Sequence, residues 1–324
     1  MATINNLRPP QTPDPPGLYI GIAPVARRRA ALALLLTGRP RQDDPAVVHF
    51  EQFAREQNLN LDQLWVACTG GREGHLAACI LLVPNPGATA MLFVGPSAGW
   101  GDHALVIRLI RRACSSDAVK GVRVVQALLD PGQVLEAQVI EQAGLSRLAK
   151  LIYMQRAITP REYTQQLPTE LGTVPITSYQ PESGGTDRFA RAIRASYVET
   201  LDCPGLLGLR SIDQVIESHR ATGIYDPSLW HAFYDADDQP VAVLLLSEVA
   251  QGGAHEVVYL GVAKPVRGRG IAGHLMRYAL AETARRGGTR LYLAVDDRNA
   301  PAVKLYTRLG FRATARKCAY ILSC

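Results

Sequence analysis

Apolar residues recur along this chain with two periods, one typical of helices and one typical of buried strands. In the first half, helical spacing predicts a helix over residues 26–35, and apolar runs predict strands over 64–69, 76–83 and 88–93. Elements that alternate in this way predict a mixed α/β fold, in which helices cover a sheet.

After residue 175 the same two patterns return in a longer series. Apolar runs predict strands over residues 176–179, 230–234, 241–248 and 256–263. Helical spacing predicts helices over residues 186–199, 211–222 and 270–286. Each half therefore has enough elements to form a domain with its own core.

A weak internal repeat relates the two halves. Residues 121–130 resemble residues 288–297, and residues 143–147 resemble residues 309–313 in the same order. Each matching pair lies in the same succession of predicted helices and strands, which indicates a tandem duplication. The sequence therefore predicts two tandem domains in a chain of 324 residues.

Composition places the boundaries of these domains. Residues 1–17 are polar and rich in proline, so we expect a flexible lead-in without the basic and apolar regions of a secretory signal. The first domain is predicted over residues 18–158 and the second over residues 176–324. Residues 159–175 form the predicted linker.

The overall composition is that of a soluble globular protein. Hydrophobic residues make up 47% of the chain, and no apolar run approaches the roughly 20 residues of a membrane span, so we expect no membrane partner. The net charge of +6 is spread along the sequence and aromatic residues are only 6%, which argues against nucleic acid as a partner. The six cysteines occur singly, so we expect reduced thiols, no metal and a cytoplasmic location.

The densest chemical signal is a glycine-rich segment between the strand predicted over residues 256–263 and the helix predicted over residues 270–286. Glycines let a ligand approach the backbone closely, and a helix start offers unpaired N–H groups and a positive dipole end. Two arginines add positive charge, although an isolated glycine cluster more often marks an ordinary turn. In this setting the segment predicts a pyrophosphate cradle, formed by Arg267, Gly268, Arg269, Gly270, Ile271, Ala272 and Gly273.

The segments that follow occur in a family-specific order. A strand-like run at residues 289–295 precedes the pattern Asn-x-x-Ala, Leu-Tyr and Gly-Phe. The glycine-rich segment matches Arg/Gln-x-x-Gly-x-Gly/Ala at Arg267, Gly270 and Ala272. These two ordered motifs resemble the GNAT superfamily of acyl-CoA-dependent N-acyltransferases, over about residues 175–324.

The resemblance implies two tandem GNAT-like mixed-sheet domains and an acyl-CoA, here acetyl-CoA, as the donor substrate. It also implies that backbone groups of Leu260, Gly261 and Val262 pair with the pantetheine arm, and that the Leu260 N–H faces the thioester oxygen. A glycine in a strand indicates a bulge or a splayed edge, and Gly261 could equally be a packing glycine. Asn299 is expected to cap the next helix, and the family would also let it contact the pantetheine arm.

Two side chains are candidates for proton transfer. A primary amine with a pKa near 10 must lose a proton before it attacks a thioester, and Glu256 is the predicted base. In a regular strand Glu256 shares a face with Val258 and Leu260, whereas His255 points to the other side. The resemblance implies that Tyr306 returns a proton to the departing thiolate. The alternatives are a solvated strand-end carboxylate and an ordinary half-buried tyrosine.

The acceptor side of the site has a weaker signal. The family places acceptor contacts between its first two helices, here in the Gly- and Pro-rich stretch over residues 199–210. Glu199 and Asp202 could hold a cationic amine, or they could be solvated loop charges. His231 and His255 are further candidate bases, although a single histidine more often has a structural role.

The first half departs from the family pattern where chemistry would need it. The loop after the strand over residues 88–93 has glycines but no arginine, and it contains Pro96 and Asp102. Proline lacks an N–H group, and aspartate would repel a phosphate. The repeat also places Ile140 opposite Tyr306, so the hydroxyl acid is absent. We therefore expect a degenerate, non-catalytic first domain.

The sequence as a whole predicts a cytoplasmic N-acetyltransferase. Its second domain would move an acetyl group from acetyl-CoA to a primary amine of a small molecule or peptide, by direct transfer in a ternary complex. The alternative is a non-catalytic acyl-CoA-binding sensor or protein-interaction module. Glu256 and Tyr306 favour the enzyme, because a sensor needs neither proton-transfer group.

Overall fold

The computed structural model describes residues 14–56, 59–159, 166–167, 170–171, 174–175, 177–250 and 252–324. Most of the expected lead-in, much of the expected linker and the first residue of the strand expected over residues 176–179 lie outside these ranges. The described residues form two compact units: those up to Leu148 together with Cys318–Cys324 are unit 1, and those within Ala149–Lys317 are unit 2. The domain boundaries expected from the sequence stay a prediction.

Unit 1 is a mixed sheet covered by helices. Its strands are Leu18–Ile22 (β1), Leu64–Thr69 (β2), His75–Asn85 (β3), Thr89–Val94 (β4) and Val124–Leu129 (β5). Its helices are Arg28–Thr37 (α1), Pro45–Glu56 (α2), His103–Ala113 (α3) and Val134–Ala143 (α4). Strands β1 to β4 pair antiparallel in chain order, β4 and β5 are parallel, and residues 318–323 pair antiparallel with β5.

Unit 2 is also a mixed sheet with helices. Its strands are Ser146–Ala157 (β6, from Ala149 on), Glu170–Leu171 (β7), Val174–Pro175 (β8), Thr177–Tyr179 (β9), Trp230–Tyr234 (β10), Pro240–Val249 (β11), Ala254–Val262 (β12), Arg290–Asp296 (β13) and Arg312–Ser323 (β14, up to Lys317). Its helices are Pro181–Tyr197 (α5), Ile212–Arg220 (α6), Ile271–Arg285 (α7) and Ala300–Arg308 (α8). Strands run in the order β6, β13, β12, β11, β10, β9, and only the β12–β13 pair among these is parallel.

The core of unit 2 follows from its hydrophobic pattern. Strands β10 and β11 are buried along nearly their whole length, as expected for central strands whose faces are both covered. Helix α7 contributes Leu275, Met276 and Ala279 to the core, and all three are fully buried. Burial of a side chain such as Leu275 contributes about 2 kcal/mol, so this face holds the start of α7 in place at the end of β12.

Strands β12 and β13 separate partway along their length. Residues 254–257 pair in parallel with residues 290–293, and the two strands have no further paired residues in the described part of the chain. Strand β13 continues beside β6, whereas β12 continues beside β11. The splay expected in this strand is therefore present, and it opens after Val257.

A bulge in β12 changes which side chains share a face of the sheet. Val257 and Tyr259 pair with adjacent residues of β11, so Val258 is an extra residue in the strand. Because the extra residue shifts the alternation by one, Glu256 shares a face with Tyr259, and Leu260 lies on the opposite face. The expectation that Glu256 and Leu260 share a face is therefore wrong.

Candidate active site

The open edge of β12 presents backbone groups to the space between the diverging strands. The Ala263 N–H donates to the Val241 carbonyl at 2.9 Å, so the backbone of Ala263 faces β11. Strand residues alternate in the edge to which they direct N–H and C=O, so Leu260 and Val262 direct theirs away from β11. The Val262 carbonyl accepts from Arg267 Nε at 3.0 Å, which agrees with this orientation. Both residues can therefore pair with a ligand that lies along β12.

The glycine-rich loop has the geometry of an anion site. Gly268 (φ 79°) and Gly270 (φ 80°) adopt the left-handed conformation, and a Cβ added at either position would meet open space. Within the described ranges, the N–H groups of residues 268–272 have no acceptor, and helical bonding begins where Gly273 and His274 donate to the Gly270 carbonyl. Five successive N–H groups at the positive end of a helix are a binding site for a phosphate-type anion.

Arg267 directs three of its five N–H donors at carbonyls of the protein. Its guanidinium donates to the carbonyls of Val262 at 3.0 Å, Glu199 at 3.1 Å and Ser196 at 2.8 Å. Arg269 is exposed and makes a long contact, of 3.5 Å, to a carbonyl of the preceding turn. That both arginines lend positive charge to a pyrophosphate stays a prediction, and for Arg267 the three carbonyls already hold the guanidinium in place.

Close packing against helix α5 explains why residue 261 is a glycine. A Cβ at this position would lie 2.4 Å from Ser196 Oγ and 2.8 Å from a ring carbon of Tyr259. Helix α5 therefore approaches β12 as closely as only glycine permits here. The bulge that a strand glycine could have indicated lies at Val258 instead.

Glu256 lies near the point where the two strands part. Its side chain is half-buried, and burial raises the pKa of the carboxyl group above its usual range. It pairs with Ser247 on β11 and with Tyr292 on β13. A carboxylate with a raised pKa accepts a proton more readily than an exposed one, provided that it is ionised at the working pH. Position and pKa therefore fit a general base.

The structure brings to Glu256 a side chain that sequence reasoning missed. Across β13 and β6, Tyr292 pairs with Gln155 and Ala294 pairs with Tyr153, so Tyr153 lies on the same face of the sheet as Glu256. Burial, and secondarily the charge of Glu256, raise the pKa of Tyr153. Ala294 is exposed beside them and leaves room above the sheet. No local signal assigns β6 to this sheet, since its partner β13 comes far later in the chain.

Tyr306 lies on α8, which follows β13. The side chain is buried and packs against the ring of Phe311, with centroids 5.9 Å apart. Burial, and secondarily the charge of Asp202, raise the pKa of the phenol, so Tyr306 holds its proton at neutral pH. Asn299 immediately precedes α8, and its Oδ1 accepts the Ala302 N–H at 3.3 Å, so the expected cap is confirmed.

The loop over residues 199–210 is held by its own carboxylates. Glu199 forms an ion pair with Lys264. The Asp202 Oδ1 accepts the Asp296 N–H at 3.0 Å, and the Cys203 N–H donates to the Asp296 carboxylate at 3.2 Å. Asp202 has exposed surface, but its carboxyl group points inward and burial raises its pKa. Both candidate acceptor carboxylates thus have partners within the protein, and their role toward an amine stays a prediction.

The two histidines near the site have structural surroundings. His231 Nδ1 lies 2.9 Å from Ser178 Oγ, and its Nε2 lies 3.1 Å from the Tyr278 hydroxyl. Burial lowers the pKa of His231 to about 4, so the ring is neutral and already engaged at both nitrogens. His255 is buried on the face of β12 opposite to Glu256, and burial lowers its pKa. Glu256 is therefore the better candidate base.

The equivalent loop of unit 1 uses its donors differently. Strands β4 and β5 pair in parallel over three residues each and then diverge. The buried Glu136 carboxylate accepts the Ser97 N–H at 2.6 Å in the loop after β4. Asp102 caps α3 and accepts the Ala104 N–H at 2.8 Å. Carboxylates of the protein itself therefore occupy backbone donors that a phosphate would need.

The described residues contain no group of three His, Cys, Asp or Glu side chains that could hold a metal ion. None of the helices in this part of the chain is long and apolar enough to cross a membrane. The six cysteines are all free thiols.

Comparison with known proteins adds family relationships to this geometry. Residues 199–311 match the acetyltransferase (GNAT) family. A mycothiol acetyltransferase from Corynebacterium aurimucosum is 32% identical over 146 residues, which are 45% of this chain and 42% of that relative. This chain thus spans less than half of that relative's length. A mycothiol acetyltransferase from Clavibacter sepedonicus is 26% identical over 320 residues, which are 96% of this chain and 97% of that relative.

Solved structures add a comparison of the fold. The GCN5-related N-acetyltransferase from Sphaerobacter thermophilus superposes with a TM-score of 0.55 at 20% identity, over 95% of this chain and 96% of that chain. At this identity the comparison shows the fold alone. The match along nearly the whole chain to the mycothiol acetyltransferase of Clavibacter sepedonicus agrees with a layout that resembles mycothiol synthase, a tandem GNAT protein.

Proposed function

We propose that this chain, a GNAT-type N-acetyltransferase by its family domain over residues 199–311, moves an acetyl group from acetyl-CoA to a primary amine. The observation that carries the proposal is the run of N–H groups at residues 268–272, next to the open edge of β12. Acetyl-CoA has the matching chemistry, because it joins a pyrophosphate to an amide-bearing arm.

The donor would use backbone groups more than side chains. The N–H groups of Gly268, Arg269, Gly270, Ile271 and Ala272 would hold the pyrophosphate, and helical hydrogen bonding begins at Gly273. The pantetheine amides would pair with the Leu260 carbonyl and the Val262 N–H along β12, because the Val262 carbonyl already accepts from Arg267. Asn299 uses Oδ1 for its cap, so its side-chain NH2 is the group that it would offer to the pantetheine arm.

Direct transfer in a ternary complex accounts for each proton. Glu256, directly or through a water, takes a proton from the ammonium group, and the neutral nitrogen then attacks the thioester carbon. The Leu260 N–H stabilises the oxyanion of the tetrahedral intermediate. The C–S bond breaks as the C=O bond re-forms, Tyr306 donates its proton to the thiolate, and solvent returns a proton to the phenolate. A second proton leaves the acylated nitrogen to bulk water, and Glu256 releases its proton there too, so that one proton is released net per turnover.

The acceptor is a small-molecule or peptide amine. It would approach on the face of the sheet that carries Glu256 and Tyr153, over the exposed Ala294. The names of the relatives identify their own activity, and the sites on this chain do not by themselves select an acceptor. The protein would act in the cytoplasm, where acetyl-CoA and reduced thiols are both present.

The test is release of free CoA, measured with a thiol reagent, when purified protein is given acetyl-CoA and a panel of primary amines. The panel should include amino sugars, a polyamine, a cysteine amide and a lysine peptide. We expect at least one amine to release CoA above the hydrolysis background, and Glu256→Gln to abolish that release. Tight binding of acetyl-CoA without transfer to any amine would contradict the enzyme and support an acyl-CoA sensor.

A further inference from the structure

A short segment after α5 contacts both arms of the splay in unit 2. We call this segment, residues 199–203, the strap. It follows Tyr197, the last residue of α5, and both of its ends have well-defined partners. One end contacts the segment that leaves β12, and the other contacts the end of β13.

On the β12 side, two cations hold the strap: Arg267 of the glycine-rich loop and Lys264 of the turn before it. The Arg267 guanidinium donates to the Glu199 carbonyl at 3.1 Å and to the Ser196 carbonyl at 2.8 Å, while it also holds the Val262 carbonyl of β12 at 3.0 Å. Lys264 forms an ion pair with the Glu199 side chain. A planar guanidinium suits this arrangement, because its fixed donors can reach three carbonyls at once.

On the β13 side, the strap is held by Asp296. This residue has no exposed surface, and its N–H donates to Asp202 while its carboxylate accepts the Cys203 N–H. Arg298 donates to the same carboxylate at 2.7 Å and stabilises its charge. The Asp202 carboxylate in turn lies within electrostatic range of the buried Tyr306.

The backbone of the strap needs these contacts. Glu199 (φ 49°) and Cys203 (φ 45°) are both in the left-handed region, which disfavours residues other than glycine. Such conformations persist where surrounding contacts determine them. Loss of the Arg267 contacts would therefore release the first strained residue of the strap.

We propose that Arg267 is a positioning residue that fastens the strap over the acceptor side of the splay, and that it is not a ligand of the pyrophosphate. The inference rests on the proposed acetyl transfer, since the strap borders the site assigned to the amine and to Tyr306. The family motif then contains two functions in sequence: Arg267 orders the acceptor side, and the glycines after it hold the donor.

Neighbouring arginines give a matched pair of variants. Arg267→Met and Arg269→Met each remove one positive charge from the same loop, but only Arg267 contacts the strap. In hydrogen-exchange mass spectrometry of the full chain, we expect the peptide over residues 197–207, which includes the bonded Cys203 amide, to exchange about tenfold faster in Arg267→Met. Arg269→Met should leave this exchange unchanged.

Calorimetric titration with acetyl-CoA supplies the second measurement. We expect Arg267→Met to bind acetyl-CoA within roughly threefold of the wild type, since it removes no phosphate ligand, and Arg269→Met to bind no tighter than Arg267→Met. With any amine that the wild type acetylates, Arg267→Met should raise KM for the amine about tenfold and leave KM for acetyl-CoA nearly unchanged. Arg267→Lys should rescue only part of this loss, because an ammonium group cannot span three carbonyls.

Two results would overturn the assignment. One is a loss of acetyl-CoA affinity in Arg267→Met larger than that in Arg269→Met, with unchanged exchange in residues 197–207. The other is a folded Arg267→Met protein in which the strap exchanges as in the wild type. If Arg267→Met does not fold, Asp202→Ala releases the other end of the strap and should accelerate the same peptide. Exchange and calorimetry need no amine, so they decide the role of Arg267 even if acetyl transfer itself is not found.

Discussion

In each unit two parallel strands diverge and leave a cleft, but the loops beside the two clefts differ. In both, a short parallel pair of strands diverges and a loop leads into a helix, α3 in unit 1 and α7 in unit 2. The cap of α3 is Asp102, whose carboxylate accepts a backbone N–H, whereas the cap of α7 is Gly270, which has no side chain. A side chain of the protein therefore accepts an N–H at the helix start in unit 1, whereas in the described part of unit 2 the N–H groups of residues 268–272 have no acceptor.

Packing strengthens this contrast. In unit 1 a Cβ on Gly99 would lie 2.5 Å from the backbone of Gly38, so the loop after β4 is pressed against the end of α1. In unit 2 the glycines of the loop before α7, Gly268 and Gly270, face open space, as Gly101 does in unit 1. The difference teaches that a diverging sheet supplies a cleft, and that a few loop residues decide whether the cleft can take an anion.

The largest expected effect comes from replacing Gly270, the cap of α7, with aspartate, the residue type that caps α3 in unit 1. Gly270→Asp adds a carboxylate where a pyrophosphate would bind and forces aspartate into φ 80°. We expect the affinity for acetyl-CoA to fall by more than about a hundredfold, measured by calorimetry. The matched control is Gly287→Asp, at φ 74° and also facing open space, which has similar backbone strain away from the loop. Equal losses of affinity in both variants would mean that strain, and not the anion site, causes the effect.

Removal of the proposed base should come next in size. Glu256→Gln keeps the shape and removes the proton acceptor, so turnover should fall by about a hundredfold or more while acetyl-CoA affinity stays the same. Because the pKa of Glu256 is raised, the rate of the wild type should increase with pH. The midpoint of this increase should lie above the usual pKa range of a glutamate. A normal rate in Glu256→Gln would assign proton removal to another group.

The same residue makes a prediction about stability with a definite sign. Burial raises the pKa of Glu256 in the folded protein above its unfolded value, so the protonated form is the one that folding favours. The stabilisation that protonated Glu256 provides is present below the pKa of this group in the unfolded chain. It is lost as the pH rises through the pKa of the group in the folded protein. Glu256→Gln should therefore melt at a higher temperature than the wild type at pH 7, with a smaller difference at pH 4. An equal melting temperature at pH 7 would mean that burial imposes little penalty on the carboxylate.

Loss of the Tyr306 hydroxyl should have a smaller effect. Tyr306→Phe leaves the buried ring and its contact with Phe311, so acetyl-CoA affinity should stay constant while turnover falls by about one to two orders of magnitude. Tyr320→Phe, at another buried tyrosine, is the control for loss of a hydroxyl group. If both variants turn over equally, the thiolate takes its proton from elsewhere.

The smallest expected effect concerns the cap in unit 1. Asp102→Ala should reduce the free energy of unfolding by about 1 kcal/mol, as for other lost helix caps, and Asp102→Asn should retain most of it. Neither variant should gain a second acetyl-CoA site, since Glu136 still occupies the Ser97 N–H. Chemical denaturation and calorimetry measure the two quantities. A second site in Asp102→Ala would show that the cap alone closes unit 1.

Local sequence signals predicted the parts of the site that local chemistry determines. The glycine-rich loop and its helix, the cap at Asn299 and the mixed α/β fold are confirmed, because each depends on neighbours in the chain. The bulge at Val258 was not predictable from periodicity, since the pairing with β11 determines it. The same holds for β6, which pairs with a strand far along the chain. It holds also for Arg267, because two of its three carbonyl partners, Ser196 and Glu199, lie 71 and 68 residues earlier in the chain. Helix α2 was also missed.

The contrast between the units is tested most directly by calorimetric titration of acetyl-CoA into the intact chain. The intact chain is needed because a fragment starting at residue 170 would remove β6 from its place beside β13. We expect one molecule of acetyl-CoA to bind per chain, and binding to disappear in Gly270→Asp. Two molecules per chain would mean that the carboxylates of unit 1 do not close its cleft, and binding retained in Gly270→Asp would contradict the assignment of the donor site to unit 2.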